Sequence, residues 1–170
     1  AEPLNGFQLW VNLPARLKMC KPRYQEISSA AIPLATPEDG VSIRVIAGEV
    51  AGVRGPVSEI AADPAYFDVH LAPGKGYTFT VENDHTALAY LYDGFGTLGE
   101  TGIAATRLVV FGSGVLINVT AGEKGARFLL ISGKPLGEPI ARYGPFVMNT
   151  QEEIQKALQD LRDGTFVMKP

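Results

Sequence analysis

Two histidines, one cysteine and six serines bound the side-chain chemistry open to this 170-residue chain. His85 stands in "VENDHTALAYLYDG", just after the loop "LAPGKG" and at the head of a short alternating run; His70 lies fifteen residues earlier. First-row metals need several imidazole or carboxylate donors converging on one point. Two histidines and a carboxylate reach that minimum only where strand register sets both imidazoles on the same inward face. The simpler reading makes His85 a turn residue that opens a strand, with Asn83 and Asp84 supplying the turn chemistry. On that reading the chain has no metal ligands, no catalytic residues and no cofactor-binding residues of its own.

Other chemistries fare no better. Cys20 has Lys18, Lys21 and Arg23 nearby, which would favour a thiolate, but a small half-buried side chain is the plainer reading. The serines at 28, 29, 42, 58, 113 and 132 include no G-x-S-x-G elbow. "GFGTLG" matches the letters of a dinucleotide fingerprint, yet the residues that follow run back into β pattern rather than opening a helix, so it reads as β-turns. "GSG" lacks the Gly-Lys-Ser/Thr end of a phosphate loop. Glu152 and Glu153 fall in the first turn of a predicted helix, where the helix dipole favours them.

The elements that would position any site are mostly strands. The chain has a net charge of −3 and 46% hydrophobic residues, values of a folded domain with no global field for a nucleic-acid backbone. Direct nucleic-acid binding is not expected. Neither is a membrane partner, since no apolar run approaches the ~20 residues that span a bilayer. A lone cysteine suits a reducing compartment, and no signal peptide is visible; a cytoplasmic location is expected, or a nuclear one in a eukaryote. "GFQLWVNLP" alternates as a strand apolar on both faces, Phe7, Leu9, Val11 and Leu13 against Gln8, Trp10 and Asn12. Beginning a domain there is awkward, so the chain is expected to be cut from something longer. Pro14, Pro22, Pro33 and Pro37 then forbid a long helix and predict a wrapping segment.

From residue 41 onward the runs "VSIRVIA", "YFDVHLA", "GYTFTVE", "TALAYLYDG", "TRLVVFG", "GVLINVTA" and "ARFLLISG" are separated by Gly, Pro, Asp and Asn. Such spacing predicts a sandwich or barrel. One helix follows: Thr150 as N-cap, Glu153 completing a capping box, and Gly164 at the C′ position. Its stripe of Ile154, Ala157, Leu158 and Leu161 must be buried on the chain's own barrel or on a partner.

"LAPGKGYTFTVENDHTALAYLYDG" followed by "GEKGARFLLISGKP" resembles the two strand–turn modules of a cupin barrel. Only His85 stands where such a barrel carries a His-x-His pair, with Thr86 and Ala87 after it. Ala126 and Arg127 follow the second glycine turn, where a further histidine is usual. "GFQLWVNLP", "KMCKPRYQEI" and "FLLISGKPLGEPIARYGPFVMNTQEEIQKALQDLRDGTF" sharpen the likeness: over its whole length the chain resembles the second half of the pirins, which are bicupins. The resemblance implies an all-β cupin (double-stranded β-helix, or jelly-roll) barrel with a C-terminal α-helix. It implies a linker strand over 1–13, the barrel with its wrapping segment over 14–149, and the helix and tail over 150–170.

It also implies that the chemistry lies elsewhere. In pirins the first barrel holds iron, or another divalent metal, and serves in a quercetin 2,3-dioxygenase or in an iron-dependent transcriptional coregulator. None of that barrel's ligands has a matching position here. The expected partner is the N-terminal cupin barrel, in the same chain or as a separate piece, with a regulatory protein as the alternative. Trp10, Ile154, Leu158 and Leu161 are the expected contacts. Self-association through the exposed strand at 7–13 is a further expectation.

Overall fold

The computed structural model describes residues 6–167. Its strands are β1 (Leu34–Ala35), β2 (Val41–Ala47), β3 (Glu49–Val50), β4 (Val53–Arg54), β5 (Ala65–Leu71), β6 (Gly76–Thr80) and β7 (Thr86–Leu98). They continue with β8 (Thr101–Ala104), β9 (Arg107–Val110), β10 (Leu116–Gly133), β11 (Ala141–Tyr143) and β12 (Phe146–Met148), and helix α1 (Gln151–Arg162) closes the chain. Two compact units result, one formed by residues 25–135 and the other by residues 1–24 with 136–170.

The larger unit is an eight-stranded antiparallel sheet in the order β1-β2-β5-β10-β7-β8, with β6 also pairing β10 and β9 pairing β7. The ladder does not close on itself, and the arrangement is that of a cupin barrel as expected. Alternation along the strands decides the inside. Register sets inward residues opposite one another across the strands β2, β5, β10 and β7. Ile43, Val69, Phe128 and Leu91 make one such row; Val45, Phe67, Leu130 and Ala89 make the next. All eight are buried. Phe79 and Phe128 meet edge to face, with centroids 6.1 Å apart.

"GVLINVTA" and "ARFLLISG", predicted as two strands around a glycine turn, form the single strand β10. Gly122–Gly125 is a bulge: pairing with β7 stops at Ala121 and resumes at Ala126. Glycine is required there. Gly125 holds φ +83°, and a Cβ on Gly94 (φ +79°) would run into the Gly125 carbonyl oxygen.

The strand expected over 7–13 is not formed, so the edge expected to drive self-association is not a ladder edge. Alternation describes faces only, whereas a strand also needs a neighbour to exchange backbone hydrogen bonds with. The segment ends at Pro14 in a 3-10 turn over Ala15–Leu17, and the Asn12 side chain accepts a hydrogen bond from Lys18 Nζ at 2.7 Å. Its apolar side chains stay exposed; Trp10 is 66% accessible. No long helix occurs over 14–33, in line with the prolines.

In the smaller unit the β11–β12 hairpin carries α1. The helix begins and ends as its sequence predicts. Thr150 Oγ1 accepts from Glu153 N–H, while Glu153 Oε2 accepts from Thr150 N–H at 2.9 Å. At the other end Gly164 (φ +71°) donates to Leu161 O and Thr165 N–H donates to Asp160 O, the paired bonds of a Schellman motif. Ile154 and Ala157 lie buried with Ala141 and Met148, and Phe146, Leu158 and Phe166 pack against them.

Candidate functional site

His70 and His85 are not brought together. Strand β5 alternates inward Phe67, Val69 and Leu71 with outward Asp68 and His70, so His70 is exposed on the outer face, opposite Arg127 and Ser42. His85 closes a tight turn. Its N–H donates to Glu82 O at 3.0 Å, Asn83 and Asp84 form the corner, and β7 starts at the next residue. His85 thus sits in the turn that Asn83 and Asp84 were expected to make. Asp84 is paired with Lys134 Nζ at 3.2 Å, and that hydrogen bond holds its carboxyl below the ordinary value.

His85 lines a cavity of about 440 Å³ whose other walls come from Gly48–Gly52, Arg54, Asp63, Ala65, Phe67, Thr80–Glu82, Leu130 and Ser132. Its Nδ1 is buried and makes no hydrogen bond. The donor set does not fit an iron centre. The cavity offers one imidazole, and among the described residues no group of three His, Cys, Asp or Glu side chains converges to hold a metal ion.

The Tyr92 hydroxyl donates to Asp68 Oδ1 at 2.7 Å on the outer sheet face. Burial first, and then that hydrogen bond, push the phenol well above its usual range. A neutral phenol held as a donor braces Asp68, and no sequence pattern marks it. Cys20 is exposed and unpaired as a disulfide. Lys18, counted beside it in the sequence, instead spends its ammonium on Asn12 Oδ1 and Val147 O, at 2.7 and 2.9 Å.

The four expected contact residues lie in the smaller unit but differ in availability. Ile154 is 3% exposed and Leu158 is packed in the unit's own core, while Trp10 and Leu161 (54%) face outward. Trp10 lines an apolar groove of about 470 Å³ with Leu13, Met19, Phe146 and Phe166. The stripe is thus divided, its buried members serving this unit and its outer member left on the surface.

Known proteins share both the sequence and the fold. The pattern of the Pirin C-terminal cupin domain matches residues 66–167. Pirin-1 of Arabidopsis thaliana is 45% identical over 169 residues, covering 95% of this chain and 58% of that protein. A putative quercetin 2,3-dioxygenase of Pseudomonas aeruginosa is 40% identical over 172 residues, 97% of this chain and 60% of that protein. The crystal structure of a quercetin 2,3-dioxygenase from Acinetobacter baumannii superposes with a TM-score of 0.86 at 36% identity, over 92% of this chain and 55% of that one. The chain therefore spans between half and two thirds of the length of these relatives. With the barrel, its bulged strand and the capped helix all in place, the chain belongs to the pirin family, which it matches through the C-terminal cupin domain.

Proposed function

We propose that this chain is the supporting, metal-free half of a two-barrel pirin, docking on an iron-bearing cupin barrel that carries out the oxidation. The observation that carries the reading is the separation of its only two imidazoles, His70 on the outer sheet face and His85 in a polar cavity. An oxygen-activating centre needs several such ligands and an open coordination position. The share of its relatives' length that the chain covers leaves room for a second barrel in those proteins. Quercetin 2,3-dioxygenation, the activity named for two of the relatives, belongs on this reading to the assembled pair.

Trp10 and Leu161 are the contacts of the supporting half, since aromatic and apolar side chains that stay exposed in one piece dominate interfaces with the other. Ile154 and Leu158 act indirectly, by holding α1 against β11 and β12. Trp10 is the only tryptophan in the chain, so its fluorescence reports on its own surroundings. Adding the separately produced metal-bearing barrel of a two-barrel relative is expected to move Trp10 emission to the blue, saturably. A Leu161→Asp variant should weaken the effect about tenfold. Emission that stays that of a solvated indole at saturating barrel would rule out Trp10 as a contact; absence of any complex by sedimentation would rule out the supporting role.

A further inference from the structure

We propose that the cavity at the His85 end of the barrel is a binding site for a small, uncharged, polyhydroxylated molecule of monosaccharide size. The first support is how the barrel is filled. Two inward rows across β2, β5, β10 and β7 are built from large side chains, including Phe67, Phe128, Leu91 and Leu130. The row at the His85 end is Ala65, Ser132 and Ala87, and it leaves space that the other rows occupy. The resulting cavity, about 440 Å³, lies in the range of small-molecule sites, ~300–1,000 Å³.

The second support is what the space is lined with. Ser132 is the one buried polar side chain among the described residues, and it stands on the cavity wall. His85 lines the same cavity, and its buried Nδ1 makes no hydrogen bond within the protein. Glu49, Asp63 and Glu82 also line the space, against a single guanidinium, Arg54, which is itself paired with Glu49 at 3.1 Å. Carboxylates accept hydrogen bonds from hydroxyls, whereas Ser132 both donates and accepts. Three carboxylates to one guanidinium disfavour an anion. A molecule with several hydroxyls can hydrogen-bond to Ser132, Asp63 and Glu82 together, which an apolar one cannot.

The third support is conformational. The β3–β4 hairpin forms one wall, anchored by Val50 and Val53 on the barrel core. Among the described residues four non-glycines hold positive φ, and two of them, Ala51 (50°) and Asp63 (44°), line this cavity. Ala51 and Gly52 (φ +77°) are the two central positions of the β3–β4 turn, which requires positive φ at both, so this wall is a preformed hairpin tip. The proposal does not depend on a second barrel.

The test is an NMR titration of the isotope-labelled chain with D-glucose and myo-inositol, with gluconate as the anionic control. Expected are saturable shifts of His85, Ser132 and the Ala51–Gly52 turn with at least one of the two neutral probes, and none with gluconate. Ser132→Leu, which fills the space, should abolish them, and Glu82→Gln, a rim change that leaves the barrel packing intact, should weaken binding several-fold. Shifts that do not saturate, that map elsewhere, or that are as large with gluconate would overturn the assignment, as would full binding by Glu82→Gln together with a folded Ser132→Leu.

Discussion

The barrel of residues 25–135 and the unit formed by residues 1–24 with 136–170 are held by different physics. In the barrel, order comes from rows of Val, Ile, Phe and Leu contributed by strands far apart in sequence, such as Ile43, Val69, Leu91 and Phe128. No short piece of it could bury those side chains alone. The smaller unit has a hairpin of two three-residue strands and one helix, and its buried core is Ala141, Met148, Ile154 and Ala157. An isolated two-stranded hairpin is marginal in water. Directed polar contacts make up the difference. Glu138 Oε2 accepts from Ala15 N–H at 2.7 Å and from Asn149 Nδ2 at 3.0 Å, Lys18 clamps Asn12 to Val147 O, and the helix is capped at both ends. Apolar rows give a unit few ways to fail locally; a small core with polar clamps can be loosened one device at a time.

The largest effect should come from breaking a barrel row. Phe128→Ala removes a ring in contact with Phe79 and leaves a void at the centre of the sheet, costing about 3–5 kcal/mol. Chemical denaturation should show it as a loss of global stability. In the smaller unit Ile154→Ala should cost about 2–4 kcal/mol, and the loss should be local: hydrogen exchange is expected to rise in α1, β11 and β12 while β5 and β10 keep their protection. Equal loosening of both units would erase the contrast. Thr150→Ala removes one half of the capping box at about 1 kcal/mol, read as fraying of the first helical turn.

The smallest effect is electrostatic and lies in the barrel. Lys75 lowers the Asp39 carboxyl and Lys134 lowers that of Asp84, both exposed side chains. A depressed carboxyl contributes stability above its unfolded value, near ~3.9, and that contribution disappears as pH falls through the folded value. Lys134→Ala should therefore return Asp84 toward the ordinary carboxylate range in a side-chain NMR titration, with little change in melting temperature.

What could be read from the residues alone follows the same division. Helix α1 was legible to its ends because its determinants are local: Thr150, Glu153 and Gly164 each act within four residues of their own position. The inward faces of the barrel strands were legible from alternation. The segment at 7–13 was not, since nothing in "GFQLWVNLP" states whether a neighbouring strand exists. Nor was the continuity of β10, because Gly122 and Gly125 look the same in a bulge as in a turn. The cavity at His85 depends on register, which alone sets Ala65, Ser132 and Ala87 side by side. Likeness to a known family supplied the fold; the division of the helix stripe between inside and outside required the structure.

The most direct test of the supporting role is anaerobic equilibrium dialysis of the chain against ferrous iron, followed by metal analysis of the protein. Uptake far below one equivalent is expected, the same for the unaltered chain and for His85→Ala. One tightly held iron per chain, lost on His85→Ala, would contradict the supporting role.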